Sequence, residues 1–133
     1  MEKVFEPLEG RNLEIINTIM SSSEIVDLPE DIKFDITLCV EEIEENILCY
    51  SGSTWVKVWT NVDTEGYVEI GFRDGGVKFD PLAKPDPDIH ASVTERQVGG
   101  LGIFLCKQMM DEVNYQFKNN CNVFTMKKRI SRA

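Results

Sequence analysis

Tyr67-Val68-Glu69-Ile70-Gly71-Phe72-Arg73-Asp74-Gly75-Gly76 is the stretch whose reading decides the architecture. Its first six residues have the composition of a β-strand, and the strand runs straight into a carboxylate followed by two glycines. Upstream, Trp55-Val56-Lys57-Val58-Trp59 is equally rich in strand formers, and Asp63-Thr64-Glu65-Gly66 between them reads as a turn, so the two strands form an antiparallel hairpin. Before the hairpin lie two helical patterns. Leu13, Ile16 and Ile19 mark one face of a helix from about Leu8 to Ser22. Ile32, Ile36, Cys39, Val40, Ile43, Ile47 and Leu48 mark a longer one, which Pro29 opens and Ser51-Gly52 closes. After the hairpin regular periodicity is lost from Asp74 to Gly100, and a loop of that length inside a compact domain is usually functional. Helical spacing resumes over Leu101 to Met110, and a last hairpin pairs Val113–Phe117 with Val123–Met126 about Asn119-Asn120. Helices, hairpin, loop, helix and hairpin in that order predict an α+β two-layer sandwich with the helices on one face of the sheet.

The chain has 133 residues and 42% apolar residues, the size and composition of one domain over residues 1–133. With 14 basic and 23 acidic residues its formal net charge is −9, which opposes sequence-independent binding to nucleic acid. The start, Met1-Glu2-Lys3-Val4-Phe5-Glu6, lacks the basic and apolar regions of a signal peptide, and no apolar run is long enough to span a membrane, so a cytoplasmic location is expected. Cys39, Cys49, Cys106 and Cys121 form no CxxC pair, and Cys39, Cys49 and Cys106 sit among apolar residues in the helices. They read as buried free thiols.

Three stretches carry chemistry. Glu42 and Asn46 are four residues apart on the second helix and share a face. That face is either a solvated acidic surface or a carboxylate base beside an amide oxygen able to ligate a hard cation. Asp74 with Gly75 and Gly76 is either a tight turn or a buried acceptor for a purine amino group, with glycines that admit a ligand to the backbone. Gly99-Gly100-Leu101-Gly102 opens a helix, where free amides and the helix dipole favour a phosphate. Neither GxxxxGK[ST] nor GxGxxG after a first strand is present, and His90 is the sole histidine, which removes hydrolase and metalloenzyme readings based on histidine.

Taken in order, Glu-x-x-x-Asn on a helix, Asp-x-Gly after a strand, and Gly-Gly-x-Gly opening a helix resemble the N, G1 and G2 boxes of the Bergerat (GHKL, histidine-kinase-like) ATP-binding fold. The resemblance spans roughly residues 30–129. It is strongest toward the stand-alone bacterial anti-sigma-factor serine kinases, to which Phe79-Asp80-Pro81, Gly99-Gly100-Leu101-Gly102-Ile103-Phe104 and Met110-Asp111-Glu112-Val113-Asn114-Tyr115 are similar. It implies a mixed sheet with helices on one face, ATP and Mg2+ as cofactors, and phosphorylation of a serine or threonine on an anti-anti-sigma-type partner. A sequestered sigma factor and a homodimer are implied as well. It further implies Glu42 as general base, Asn46 as the magnesium ligand, Asp74 as the adenine reader and Gly76 as the residue that admits the ligand. Gly99, Gly100, Leu101 and Gly102 would meet the phosphates, Pro81 to Val98 would form a lid, and Arg96 would meet the terminal phosphate. Lys78 stands where the family often has the second glycine of Asp-x-Gly-x-Gly. Lysine does not freely adopt positive φ, so the resemblance implies a different turn there, or a cation added near the phosphates. A nucleotide-gated binding module without catalysis is the alternative of another class, and an ATPase acting as a switch is a third.

Overall fold

The computed structural model describes residues 1–83 and 101–130. In chain order these form β1 (Glu2–Phe5), α1 (Asn12–Met20), α2 (Glu30–Asn46), a π-helical turn (Ile47–Ser51), β2 (Val56–Val62), β3 (Tyr67–Asp74), α3 (Leu101–Met109), β4 (Glu112–Lys118) and β5 (Cys121–Arg129). The sheet has five strands in the order β1-β2-β3-β5-β4, and every neighbouring pair is antiparallel. The sheet is therefore not mixed as expected. β3 and β4 run the same way, but β5 inserts between them, so no parallel ladder forms.

Strand alternation sorts the sheet into two faces. Val56, Val58, Val68, Ile70, Phe72, Phe124 and Met126 point toward the helices and are buried with Ile36, Val40, Ile43 and Ile47 of the α2 segment. Each such side chain contributes roughly 1.5–3 kcal/mol when removed from water. On the opposite face a side chain on Gly71 would fall 2.0 Å from the Trp59 indole, so the ring lies directly on the β3 backbone.

The first helix is shorter than its pattern predicts. Leu8 is buried ahead of the helix, its N–H bonded to the Thr54 carbonyl at 2.9 Å, and Gly10 turns the chain at φ 79°. The helix then buries Ile15 and Ile19 and leaves Leu13, expected on the inner face, 71% exposed. The second helix loses its α-geometry at Asn46. The Gly52 N–H reaches back to the Ile47 carbonyl at 3.0 Å, a five-residue step, and Gly52 closes the turn in the left-handed region at φ 68°. That wider turn leaves Cys49 exposed, against expectation. Cys39, Cys106 and Cys121 are buried free thiols. The neighbouring Cys39 thiol and then burial push Cys106 up, which leaves it neutral and unreactive. At the last hairpin Asn119 and Asn120 both take positive φ, 53° and 60°, the conformation that suits a two-residue turn between twisted strands.

Candidate functional site

The register of the sheet places Asp74, the last residue of β3, opposite Val56 on one side and Asn122 of β5 on the other. Asp74 faces the helices and is 3% exposed. Its Oδ1 accepts from the Gly76 N–H at 2.9 Å and from the Asn122 side-chain amide at 3.1 Å. Asn122 is the node of this region. Its Nδ2 also donates to the Val77 carbonyl at 2.8 Å, while its Oδ1 accepts from the Phe79 N–H at 3.0 Å and from the Tyr115 hydroxyl at 2.5 Å. One side chain thus fixes the Asp74 carboxylate and ties the segment after β3 to the end of the sheet. Sequence reasoning missed it. The signal was there: Asn122 shares the inward period with Phe124 and Met126, so it had to be a buried polar group with partners.

Gly76 has a reason to be glycine that differs from the expected one. A Cβ there would lie 2.2 Å from the Ser51 carbonyl oxygen, and the Val77 N–H donates to that same oxygen at 2.9 Å. The close approach is by the chain's own backbone, at the end of the π-helical turn, and does not involve positive φ. Among the described residues only Asn119 and Asn120 are non-glycine positions with positive φ, so Lys78 takes its place in the turn without left-handed geometry. Its ammonium sits 5.9 Å from the centre of the Phe117 ring on β4. Gly76→Ala is expected to break the Val77–Ser51 contact and lower unfolding stability by ~1–3 kcal/mol, the usual effect of forcing an extra methyl into a filled site. Urea denaturation measures this, and an unchanged midpoint would show that the Ser51 turn gives way freely.

α2 carries Asn46 and Glu42 to this end of the sheet. Asn46 is buried and its Nδ2 has no hydrogen-bond partner among the described residues. Together with Asp74, Ser51, Phe79, Tyr115 and Asn122 it lines an internal cavity of about 20 Å3. Glu42, one turn earlier, is half-buried against the first turn of α3. A Cβ on Gly102 would lie 2.1 Å from the Glu42 carboxyl group, so the absence of a side chain at Gly102 is what lets the two helices meet there. Burial, and then the neighbouring Glu45 carboxylate, raise the Glu42 pKa above the ordinary carboxylate value. The structure therefore brings Glu42 to Gly102, and Asn46 to Asp74. Gly102 and Leu101 stand in the first turn of α3, while Arg96, Gly99 and Gly100, and most of the expected lid, lie outside the described residues.

The chemistry of this end of the sheet fits a nucleotide with a divalent cation. It offers a buried carboxylate, an orphaned buried amide and a glycine-cleared helix start. The cavity is too small for a purine: 20 Å3 is room for about one water, which needs roughly 10–15 Å3 of such space. Phe79, stacked on Tyr50 at 4.9 Å between ring centres, and Pro81 form part of its wall. Among the described residues no three histidine, cysteine or carboxylate side chains converge on a metal site.

A family model for the histidine kinase-like ATPase domain matches residues 7–128. The chain belongs to this family. Among curated proteins of this kind, the serine/threonine-protein kinase BtrW of Bordetella bronchiseptica is 28% identical over 98 residues, covering 71% of this chain and 69% of the relative. Solved histidine kinase-like structures share the fold. The RsbU and RsbW domains of a Mycobacterium tuberculosis protein superpose with a TM-score of 0.64 at 12% identity, covering all of this chain and 33% of that one. The blue-light activated histidine kinase of Erythrobacter litoralis gives 0.60 at 18% identity, covering 92% of this chain and 44% of that one. This histidine kinase-like domain thus spans between a third and a half of those two chains. Among its described residues no helix is long and apolar enough to cross a membrane.

Proposed function

We propose that this histidine kinase-like domain binds ATP with magnesium and phosphorylates a serine or threonine hydroxyl on an anti-anti-sigma-type partner, and that it sequesters a sigma factor. The observation that carries the reading is the meeting of Glu42 with Gly102, one helical turn from Asn46. ATP supplies the phosphoryl group and magnesium the charge that neutralises it. Asp74 reads the adenine amino group. The Asn46 amide, whose assigned nitrogen and oxygen are interchangeable by a flip, turns its oxygen to the cation. Backbone amides of Leu101 and Gly102 at the start of α3 would meet the phosphates, with Lys78 as a candidate added cation. Gly99, Gly100 and Arg96, which the resemblance assigns to the phosphates, lie outside the described residues. Glu42 holds the acceptor hydroxyl. Its proton passes to a Glu42 oxygen as the hydroxyl oxygen takes the terminal phosphorus and the bond from that phosphorus to ADP breaks.

The test is transfer of label from ATP to the co-purified partner, with nucleotide binding measured separately. Retention of partner that depends on ATP but shows no label in it would replace the kinase reading with a nucleotide-gated binding module.

Asp74→Asn tests the purine end. The asparagine keeps an oxygen where Gly76 and Asn122 donate, which places its NH2 where the second carboxylate oxygen was. A donor then faces the adenine amino donor, and ATP affinity is expected to fall by ~1–3 kcal/mol, roughly 5- to 150-fold. Calorimetric titration giving equal affinities in the two proteins would remove Asp74 from the site.

A further inference from the structure

The outer surface between α2 and α3 carries a groove of about 320 Å3 whose chemistry is split along its length. The two helices run antiparallel where they meet, because Gly102 lies at Glu42 while Cys106, one turn on, lies beside Cys39. Leu38, Leu105 and Met109 line one end, and Glu41, Glu42 and Glu45 line the other. Phe34, one turn before Leu38 on the same side of α2, extends the apolar end. It is 63% exposed and Leu105 is 41% exposed. Single exposed apolar residues are ordinary, but three from two helices around one groove mark a contact surface. No basic side chain lines the groove, and none of its three carboxylates is in an ion pair among the described residues. The Glu45 charge is felt at Glu42, so the acidic end is not neutralised from within.

We propose that this groove docks a segment of the partner protein that is apolar at one end and basic at the other. Its apolar side chains cover Phe34, Leu38 and Leu105. Its lysines or arginines meet Glu41 and Glu45, and a hydroxyl between them reaches Glu42. From Phe34 to Glu45 is eleven residues of helix, ~16 Å at 1.5 Å per residue, the length of about three turns of a docked helix. The complementarity is by sign of charge, which sets choice of partner and rate of encounter more than raw affinity. The position of the hydroxyl rests on the reading of Glu42 as base, whereas the docking itself does not.

The probes are three synthetic 14-residue peptides with leucines at helical spacing and a central serine, ending in two lysines, two glutamates or two glutamines. Binding is followed by fluorescence anisotropy with ATP and magnesium present, at low and high salt. The lysine peptide is expected to bind the wild type at least tenfold more tightly than the glutamate peptide, with the preference shrinking in salt. Glu41→Lys/Glu45→Lys is expected to reverse the order. Leu105→Asp is expected to weaken all three peptides about tenfold. ATP affinity measured by calorimetry is expected to stay within about threefold for Leu105→Asp and to rise for the charge reversal, which brings lysines near the phosphates, and retained ATP binding in both also shows that they fold. No charge preference in the wild type, or a preference that survives the charge reversal, overturns the docking proposal. Docking in the expected order without labelling of the serine upholds the groove and removes Glu42 as base. Labelling that ignores both peptide charge and groove variants upholds the kinase reading and removes the groove.

Discussion

Glu42→Gln is expected to lower phosphoryl transfer by ~10²–10⁴-fold, the usual contribution of a positioned general base, while ATP affinity stays within about twofold. The substitution keeps the shape that packs against Gly102 and removes only the ability to take a proton. The effect is large because the groups around Glu42 already tune it. Burial, and then Glu45, raise its pKa above the ordinary carboxylate value, which makes its carboxylate a stronger base. Two further variants separate roles. Asn46→Ala is expected to lose the magnesium-dependent part of ATP binding, because its amide is the orphaned polar group of the cavity. Glu65→Gln, in the exposed turn between β2 and β3, is expected to change neither quantity. Single-turnover transfer to the partner, at saturating ATP, reads the chemical step without product release. A Glu42→Gln protein that transfers as fast as wild type would remove the base and leave the nucleotide site standing.

Much of this fold was legible because its period signals are strong. Val68, Ile70 and Phe72 alternate, the α2 stripe runs through Ile36, Val40, Ile43 and Ile47, and Asn119-Asn120 fits a positive-φ turn. What escaped the sequence was set by tertiary contacts. The end of α2 becomes a π-helical turn, which puts the Ser51 carbonyl against Gly76, and nothing local in Ile47-Leu48-Cys49-Tyr50-Ser51 announces it. Leu13 reads as inward until Leu8 takes a core place ahead of the helix. Asp74, Glu42, Asn46 and Gly102 were singled out by motif order, and the structure supplies their neighbours. Asn122 was missed because a single polar residue in a strand gives no periodic signal unless its face is already known.

The same helix holds a second displaced carboxyl group, and it should dominate the pH dependence of stability. Glu44 is 2% exposed, its Oε1 has no partner among the described residues, and burial, followed by the Glu41 charge, raises its pKa from 4.5 to about 8. The unfolded chain ionises this group near 4.5, so between 4.5 and about 8 the folded protein holds a proton that the unfolded one releases. The contribution of Glu44 is then most favourable below the lower value, falls as pH rises through the window, and levels off above about 8. At pH 7 the loss is on the order of 3 kcal/mol for a shift of this size. Glu44→Gln replaces the ionisable group with a neutral one of the same shape. It is expected to recover ~2–3 kcal/mol at pH 7, somewhat less than the full loss because its amide hydrogens also need partners. Near pH 4.5 it is expected to change little, since the wild-type side chain is already protonated there. Urea unfolding of both proteins at pH 5 and pH 8 gives the contrast directly. Parallel pH profiles would mean that water or a nearby donor keeps Glu44 charged in the fold. The contrast with Glu42, two residues away, follows from helix geometry. Two residues turn the helix by roughly 200°, so one carboxyl group faces the cleft beside α3 while the other is directed into the packed interior.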